Sequence, residues 1–548
     1  MRVVVRSTER GAAAGARPCA RRSLARVPSA RRGAAFVSLP FLVVAALLFA
    51  LAGLVPAVVL LARIEAADLS GLVDARTATL FGRTLFVGLG AASMALVLGM
   101  PFGFVVARTD VPFARMLRHA GLVPLLVPPV ILAMVMAVLW VDALGATMVV
   151  LVLGVSTFPL VAAFSARAFE RIDARREQAA LLAGGLGAVL RMELPLVLPA
   201  ALCGGCFAFV IAINDFAVPD YVASIGRKYN VYADEVFASW QSVHTPGKAV
   251  AAALPLIALT LVALVPALHW KRRGALASVD GDFQAPPRLA LGRWKWPAFA
   301  ACVALLAITA ALPIGRLAWE AGGGARGWSF ERFGAAFERG IDTGRADLQR
   351  SLLFSASAAL LALVPALVLG HALARARGGR WLEFVVLLPF AVPAILFGIG
   401  YIVLWNHEAT AAVYEGGLAV VLLLVGRYAA IPILAVAAAT MLVDPRLEEA
   451  ARIAGAGPAR RLVSIVSPAV RGALVGGAGL VFTFGMRELD AAILVPAANG
   501  TAMFRVYNAI HFGRDDFVAA LALLVIFFVL LPGLFWSAFT RERAGGVA

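Results

Sequence analysis

Apolar residues along this chain gather into long runs, and the polar segments between them are short and mostly basic. A bilayer core about 30 Å thick is crossed by about 20 apolar residues in a helix. Runs of that length lie near 36–62, 80–106, 120–141, 144–168, 199–222 and 248–270. A second set lies near 296–319, 348–374, 382–405, 416–440, 469–496 and 517–539. The pattern predicts an all-α membrane protein with twelve transmembrane helices, six on each side of a polar linker. Runs 199–222 and 469–496 carry carboxylates toward their ends.

Composition narrows the classes further. The 548 residues are 61% hydrophobic and 15% charged, with a mean hydropathy of +0.88. Soluble domains are roughly 45–50% apolar and about 25% charged. A soluble multidomain enzyme and a disordered chain are excluded, and so, despite a net charge of +17, is a nucleic-acid-binding protein. Four scattered cysteines (Cys19, Cys203, Cys206, Cys302) make no disulfide framework.

The charge orients the chain. Its first 35 residues hold nine arginines and one acid, Glu9, which by the positive-inside rule keeps this end in the cytoplasm. The apolar run from Phe36 is 27 residues long, beyond the 7–15 residues of a signal-peptide core, so it is expected to stay as the first span. The same basic end suits anionic lipid. Counting spans then places 107–119, 169–198, 271–295, 375–381, 441–468 and the C-terminus inside. The opposite face receives 63–79, 142–143, 223–247, 320–347 and 406–415.

The two sets of runs are copies. Arg83-Thr84-Leu85 matches Arg350-Ser351-Leu352 at an offset of 267, as do Gly103 with Gly370 and Arg108 with Arg375. Pro124 and Pro128 match Pro389 and Pro393 at 265, and Pro159 matches Pro432 at 273. The run DARREQAALLAG from Asp173 lies over DPRLEEAARIAG from Asp444. Six spans per copy mean both enter the membrane in the same direction, as parallel repeats with a path between them. The expected organisation is an Arg-rich segment 1–35, a first repeat 36–270, a linker 271–295, a second repeat 296–540 and a tail 541–548.

The most informative local pattern is Glu448-Glu449-Ala450-Ala451-Arg452-Ile453-Ala454-Gly455, followed by Pro458 and Ile465-Val466-Ser467-Pro468. It predicts a short helix with acids in the first turn, where the helix dipole favours them, ended by Gly455. A second segment then returns to the membrane. The small-residue face of Ala450, Ala451 and Ala454 suits close docking against another protein.

This pattern resembles the cytoplasmic-loop motif of binding-protein-dependent ABC transporter permeases: Glu-Ala-Ala, three residues, Gly, nine residues, Ile, one residue, Leu-Pro. Glu449, Ala450, Ala451, Gly455, Ile465 and Pro468 match it, with Ser467 in the Leu position. In the first copy Ala179, Ala180 and Gly184 match, Gln178 stands for the Glu with Glu177 before it, and Leu194-Pro195 arrives two residues early. The resemblance runs from about residue 36 and is nearest the fused ferric-iron subtype, whose relatives include thiamine and aminoethylphosphonate permeases.

It implies a type I importer fold in a bacterial inner membrane, with no cofactor on this chain. Two copies of a separate ATPase, carrying ATP and magnesium, would dock at 173–195 and 444–468, on Glu177, Gln178, Ala179, Ala180, Gly184, Glu448, Glu449, Ala450, Ala451 and Gly455. A periplasmic binding protein would deliver the solute, with ferric iron as the first expectation and thiamine, aminoethylphosphonate or another small solute as alternatives.

The sequence holds no phosphate-cradling G-x-x-x-x-G-K-[ST]. Asp215 and Glu488 stand 20 residues after Pro195 and Pro468. A carboxylate near mid-membrane costs on the order of 3 kcal/mol and faces protein or water, so both are candidates to line the path; capping of a helix end is the other reading. They would also be the coupling acids of the rival reading, a transporter driven by an ion gradient. Cys203-Gly204-Gly205-Cys206 lies in an apolar run without a ligand cluster beside it, and small-residue helix packing explains it better than a metal site.

Overall fold

The computed structural model describes residues 39–544, apart from 67, 69–73, 141, 143–144, 227, 244–245, 276–283, 377–379, 495 and 513–515. The expected segment 1–35, part of the linker and the end of the tail therefore lie outside the described residues.

In lipid the backbone must satisfy its own hydrogen bonds, so apolar runs fold as helices. Eight helices among the described residues are long and apolar enough to cross a membrane: Leu39–Leu61, Ala75–Arg108, Ala146–Glu170, Gly187–Asn214, Pro246–Trp270, Gly292–Ala321, Phe330–Arg375 and Asp516–Gly533. Five sharply bent helix pairs bring the count to as many as thirteen. Large apolar side chains such as Leu47, Phe86, Val97, Val262, Leu353 and Leu360 point outward, as a lipid-facing surface requires.

Several predicted spans are interrupted. The run 120–141 is two helices, Ala114–Leu126 and Pro129–Leu139, at 90°, and 382–405 is Trp381–Ala391 and Ala394–Trp405 at 89°. The cause is the same in each copy: Pro128 and Pro393 sit in extended backbone just before the second helix, where a proline cannot donate and restrains its predecessor. Run 199–222 stops at Asn214 and restarts at Ala217. Run 469–496 stops at Arg487, not at 496, because Glu488 turns extended.

Matched residues make matched contacts. A Cβ on Gly103 would lie 2.7 Å from the Ala162 carbonyl oxygen, and one on Gly370 2.8 Å from that of Ile433, so each glycine admits a neighbouring helix to backbone contact. The Thr84 hydroxyl accepts from the Tyr232 amide at 2.8 Å, and the Ser351 hydroxyl from the Ala502 amide at 2.8 Å. Both amides open a helix, Tyr232–Val243 and Ala502–Phe512, whose first donors lack intrahelical partners.

The first helix of each copy contains a π-helical turn, Ala50–Leu54 and Ala307–Ala311, with Pro56 or Pro313 shortly after. Pro56 leaves the Ala52 carbonyl without its i+4 donor. The Tyr401 hydroxyl, from the other copy, donates to that oxygen at 2.7 Å.

Candidate functional site

Buried charge gathers at several places among the described residues, and two of these hold the candidate site residues. The first is the pair of loops carrying the duplicated motif. Asp173 and Asp444 each accept from the amide two residues on, at 2.9 Å, and so cap the helices that follow. The acid four residues into each motif then turns inward. Glu177 accepts from Arg108 at 2.6 Å, and Glu448 from Arg375 at 2.8 and 3.0 Å and pairs with His371 at 2.8 Å. Arg108 also reaches Glu193 at 3.1 Å, beyond the turn. These side chains are buried, Arg108 being 1% exposed. Burial works against the charged form of Glu448, but the bonds from His371 and Arg375 prevail and hold its carboxyl below the usual range.

The motif residues therefore divide. Glu177 and Glu448 are anchors and not surface contacts; Gln178, Ala179, Glu449 and Ala450 are exposed, while Ala180 and Ala451 are half-buried. Beside them stand Leu182, 92% exposed, and Ile453, 84% exposed. At the second loop Gly455 takes φ +82°, its amide donates to Arg452 O at 3.0 Å and that of Ala456 to Ala451 O at 2.9 Å. This pair of bonds is a glycine-terminated helix end of the Schellman type. At the first loop the left-handed residue is Gly185, at φ +65°, and not Gly184, which is extended.

The second place is a cavity of about 320 Å³ where residues of both copies meet. Phe164, Phe207, Phe390 and Phe484 wall it, and Asp215, Arg427, Arg487, Glu488 and Asp490 edge it. Asp215 and Glu488 stand just past the helix ends and act alike: the Val218 amide donates to Asp215 at 2.9 Å and the Ala491 amide to Glu488 at 2.8 Å. Each thus caps the chain after its break while lining the cavity. Glu488 is further held by Arg427 at 3.0 Å and by the Tyr428 hydroxyl. Arg487 does not pair with Glu488; it donates to the Leu125 carbonyl and lies over the Phe484 ring. Asp490 accepts from the Phe216 amide at 3.3 Å, joining the two breaks. Among the described residues, no ion pair forms at Asp215 or Asp490.

Arg427, Tyr428 and His371 escape a reading by runs and motifs. An arginine inside the apolar run 416–440 is the one signal that pointed to Arg427, given the cost of a charge in lipid. Arg108 and Arg375 are legible as repeat markers, without a role. Cys203 is buried and Cys206 half-buried in the helix against Ala146–Glu170. A Cβ on Gly204 between them would lie 2.9 Å from the Val161 Cα. No group of His, Cys, Asp and Glu among the described residues is placed to hold a metal ion.

Residues 360–541 match the family described as binding-protein-dependent transport system inner membrane component. The molybdate/tungstate transport system permease protein of Pyrococcus abyssi is 28% identical over 190 residues, covering 34% of this chain and 74% of that protein. The putrescine transport system permease protein of Escherichia coli is 25% identical over 224 residues, 40% of this chain and 79% of that one. A putative ferric transport system permease protein of Haemophilus influenzae is 27% identical over 182 residues, 33% of this chain and 28% of its own length.

Proposed function

We propose that this chain, a binding-protein-dependent ABC transporter permease, forms the whole membrane-spanning part of an inner-membrane importer for a small solute. On this reading its two repeats, 36–270 and 296–540, come from one gene. The cavity edged by Asp215, Glu488 and Asp490 is the waist of the path, and the segments 223–247 and 320–347 meet a periplasmic binding protein. Both termini and both motif loops lie in the cytoplasm. Two copies of a separate ATPase bind the loops, and ATP hydrolysis takes place there; the chain itself makes and breaks no covalent bond.

The observation that carries the reading is the pair of matched loops, each anchored inward by one buried acid and presenting Gln178 and Leu182 or Glu449 and Ile453 outward. Buried anchors make each loop a stiff lever, so that closing an ATPase pair would move the Ala75–Arg108 and Phe330–Arg375 helices rather than bend the loops.

The test is reconstitution of the chain in proteoliposomes with the ATPase and binding protein encoded beside it. Uptake is expected to require ATP and the ATPase. Leu182→Arg combined with Ile453→Arg is expected to abolish co-purification of the ATPase while leaving membrane insertion intact. Uptake driven by an ion gradient in vesicles holding this chain alone would overturn the reading.

A further inference from the structure

The first motif loop is mounted differently from the second, and the difference comes from the chain joining the two repeats. Residues 284–291 pass beside the end of the Ala75–Arg108 helix, with Leu289 bridged to Thr109. The Leu289 amide donates to the Arg108 carbonyl at 2.7 Å, and the Asp110 amide returns a bond to the Leu289 carbonyl at 3.1 Å. The Leu291 amide donates to the Asp110 carboxylate at 2.9 Å. Arg108, already holding Glu177 and Glu193, donates to the Pro287 carbonyl at 3.0 Å. Finally the Ala174 amide, the first of the motif helix, donates to the Gln284 carbonyl at 2.9 Å. A helix start leaves such amides without internal partners, and here the linker supplies one.

At the second loop other groups take these places. Arg375 donates to the Val443 carbonyl at 3.0 Å, within the same loop, and His371 stands at Glu448.

We propose that residues 284–291, with Asp110, are positioning elements of the first ATPase-docking loop: the linker straps the motif helix to the end of the Ala75–Arg108 helix. The inference rests on the docking reading above. It also gives the divergent first motif a physical counterpart. That loop reaches its Leu194-Pro195 early and ends its first helix at Gly184-Gly185, and a strap from outside the loop adds to the stiffness that its buried anchor supplies. The carboxyl of Asp110 belongs to the strap, since the Leu291 amide is the chief cause holding it below the usual range.

Two variants of the full chain in nanodiscs test this: Asp110→Ala, which removes the acceptor for Leu291, and Leu289→Pro, which removes the amide bonded to Arg108. Hydrogen exchange of the amides in 174–183 is expected to rise about tenfold or more, with 445–453 unchanged. With the ATPase added, the concentration giving half-maximal stimulation of hydrolysis is expected to rise several-fold while the maximal rate holds within about twofold. Unchanged exchange in both variants would overturn the strap. Raised exchange with unchanged ATPase affinity would overturn its part in docking. If the ATPase still binds Leu182→Arg with Ile453→Arg, the docking reading itself falls, and the exchange data keep the two failures apart.

Discussion

Most buried charges among the described residues are met by a second residue placed against them, and the placements differ in how completely they succeed. Glu448 is surrounded by donors, so its share of stability is present above the ordinary carboxyl range and is lost as pH falls through its lowered value. Asp234, in the Tyr232–Val243 helix outside the candidate spans, is the opposite case. Burial pushes its carboxyl up to about 8, and its Oδ2 accepts from the Val231 amide at 2.7 Å while Oδ1 has no bonding partner. The fold therefore favours its neutral form: this contribution is full below an ordinary value of 3.8 and is lost as pH rises through about 8. Asp234→Asn, which keeps an acceptor and removes the titration, is expected to flatten the fall of melting temperature between about pH 4 and 8. An unchanged slope by thermal shift in detergent would contradict this. None of it was visible in the sequence, where Asp234 is one acid in a polar loop. Burial, and the direction a side chain takes from its helix, exist only once neighbours do.

At the scale of the helix, the apolar runs announce which segments enter the membrane, and paired prolines announce the repeat. What the runs cannot announce is where a helix breaks. Pro128 and Pro393 sit in breaks of about a right angle, whereas Pro101, Pro159 and Pro365 lie inside unbroken helices. A proline inside an apolar helix strands a carbonyl that a neighbour can satisfy. Pro56 shows the mechanism, since the Tyr401 hydroxyl takes over the Ala52 oxygen. Tyr401→Phe keeps the ring and removes the donor, and is expected to cost about 1–3 kcal/mol, the penalty for a buried polar group left unmade. Denaturant titration of the purified protein reads this directly, and a loss well below that range would mean water or another donor reaches Ala52. The capped ends at Asp215 and Glu488 belong here too. Their matched positions were legible from the spacing after Pro195 and Pro468, but the shared bond from the amide three residues on, which caps the chain after each break, was not.

For the whole molecule, duplication was the feature most open to reading, because offsets that drift by a few residues over an entire half do not arise from composition. The unequal mounts of the two loops were closed to it: Arg108 and Arg375 align, and so do Glu177 and Glu448, but the further partners, Glu193 and the Pro287 carbonyl at one loop and His371 and the Val443 carbonyl at the other, do not. Removing either arginine leaves carboxylate buried without its cation, so Arg108→Met and Arg375→Met are each expected to cost about 3–5 kcal/mol. Because each arginine serves its own loop and they share no partner, the double variant should cost the sum to within about 0.5 kcal/mol; a larger departure in a double-mutant cycle would show the mounts to be coupled. The bond from Tyr401 to Ala52 bears on something else, the order of manufacture. The two residues are 349 apart, so the ribosome delivers the acceptor long before its donor exists. The opening helix must wait, with one carbonyl unsheltered, until the later half is threaded beside it. Synthesis as a single polypeptide ensures that the awaited tyrosine arrives in the same place, one for one.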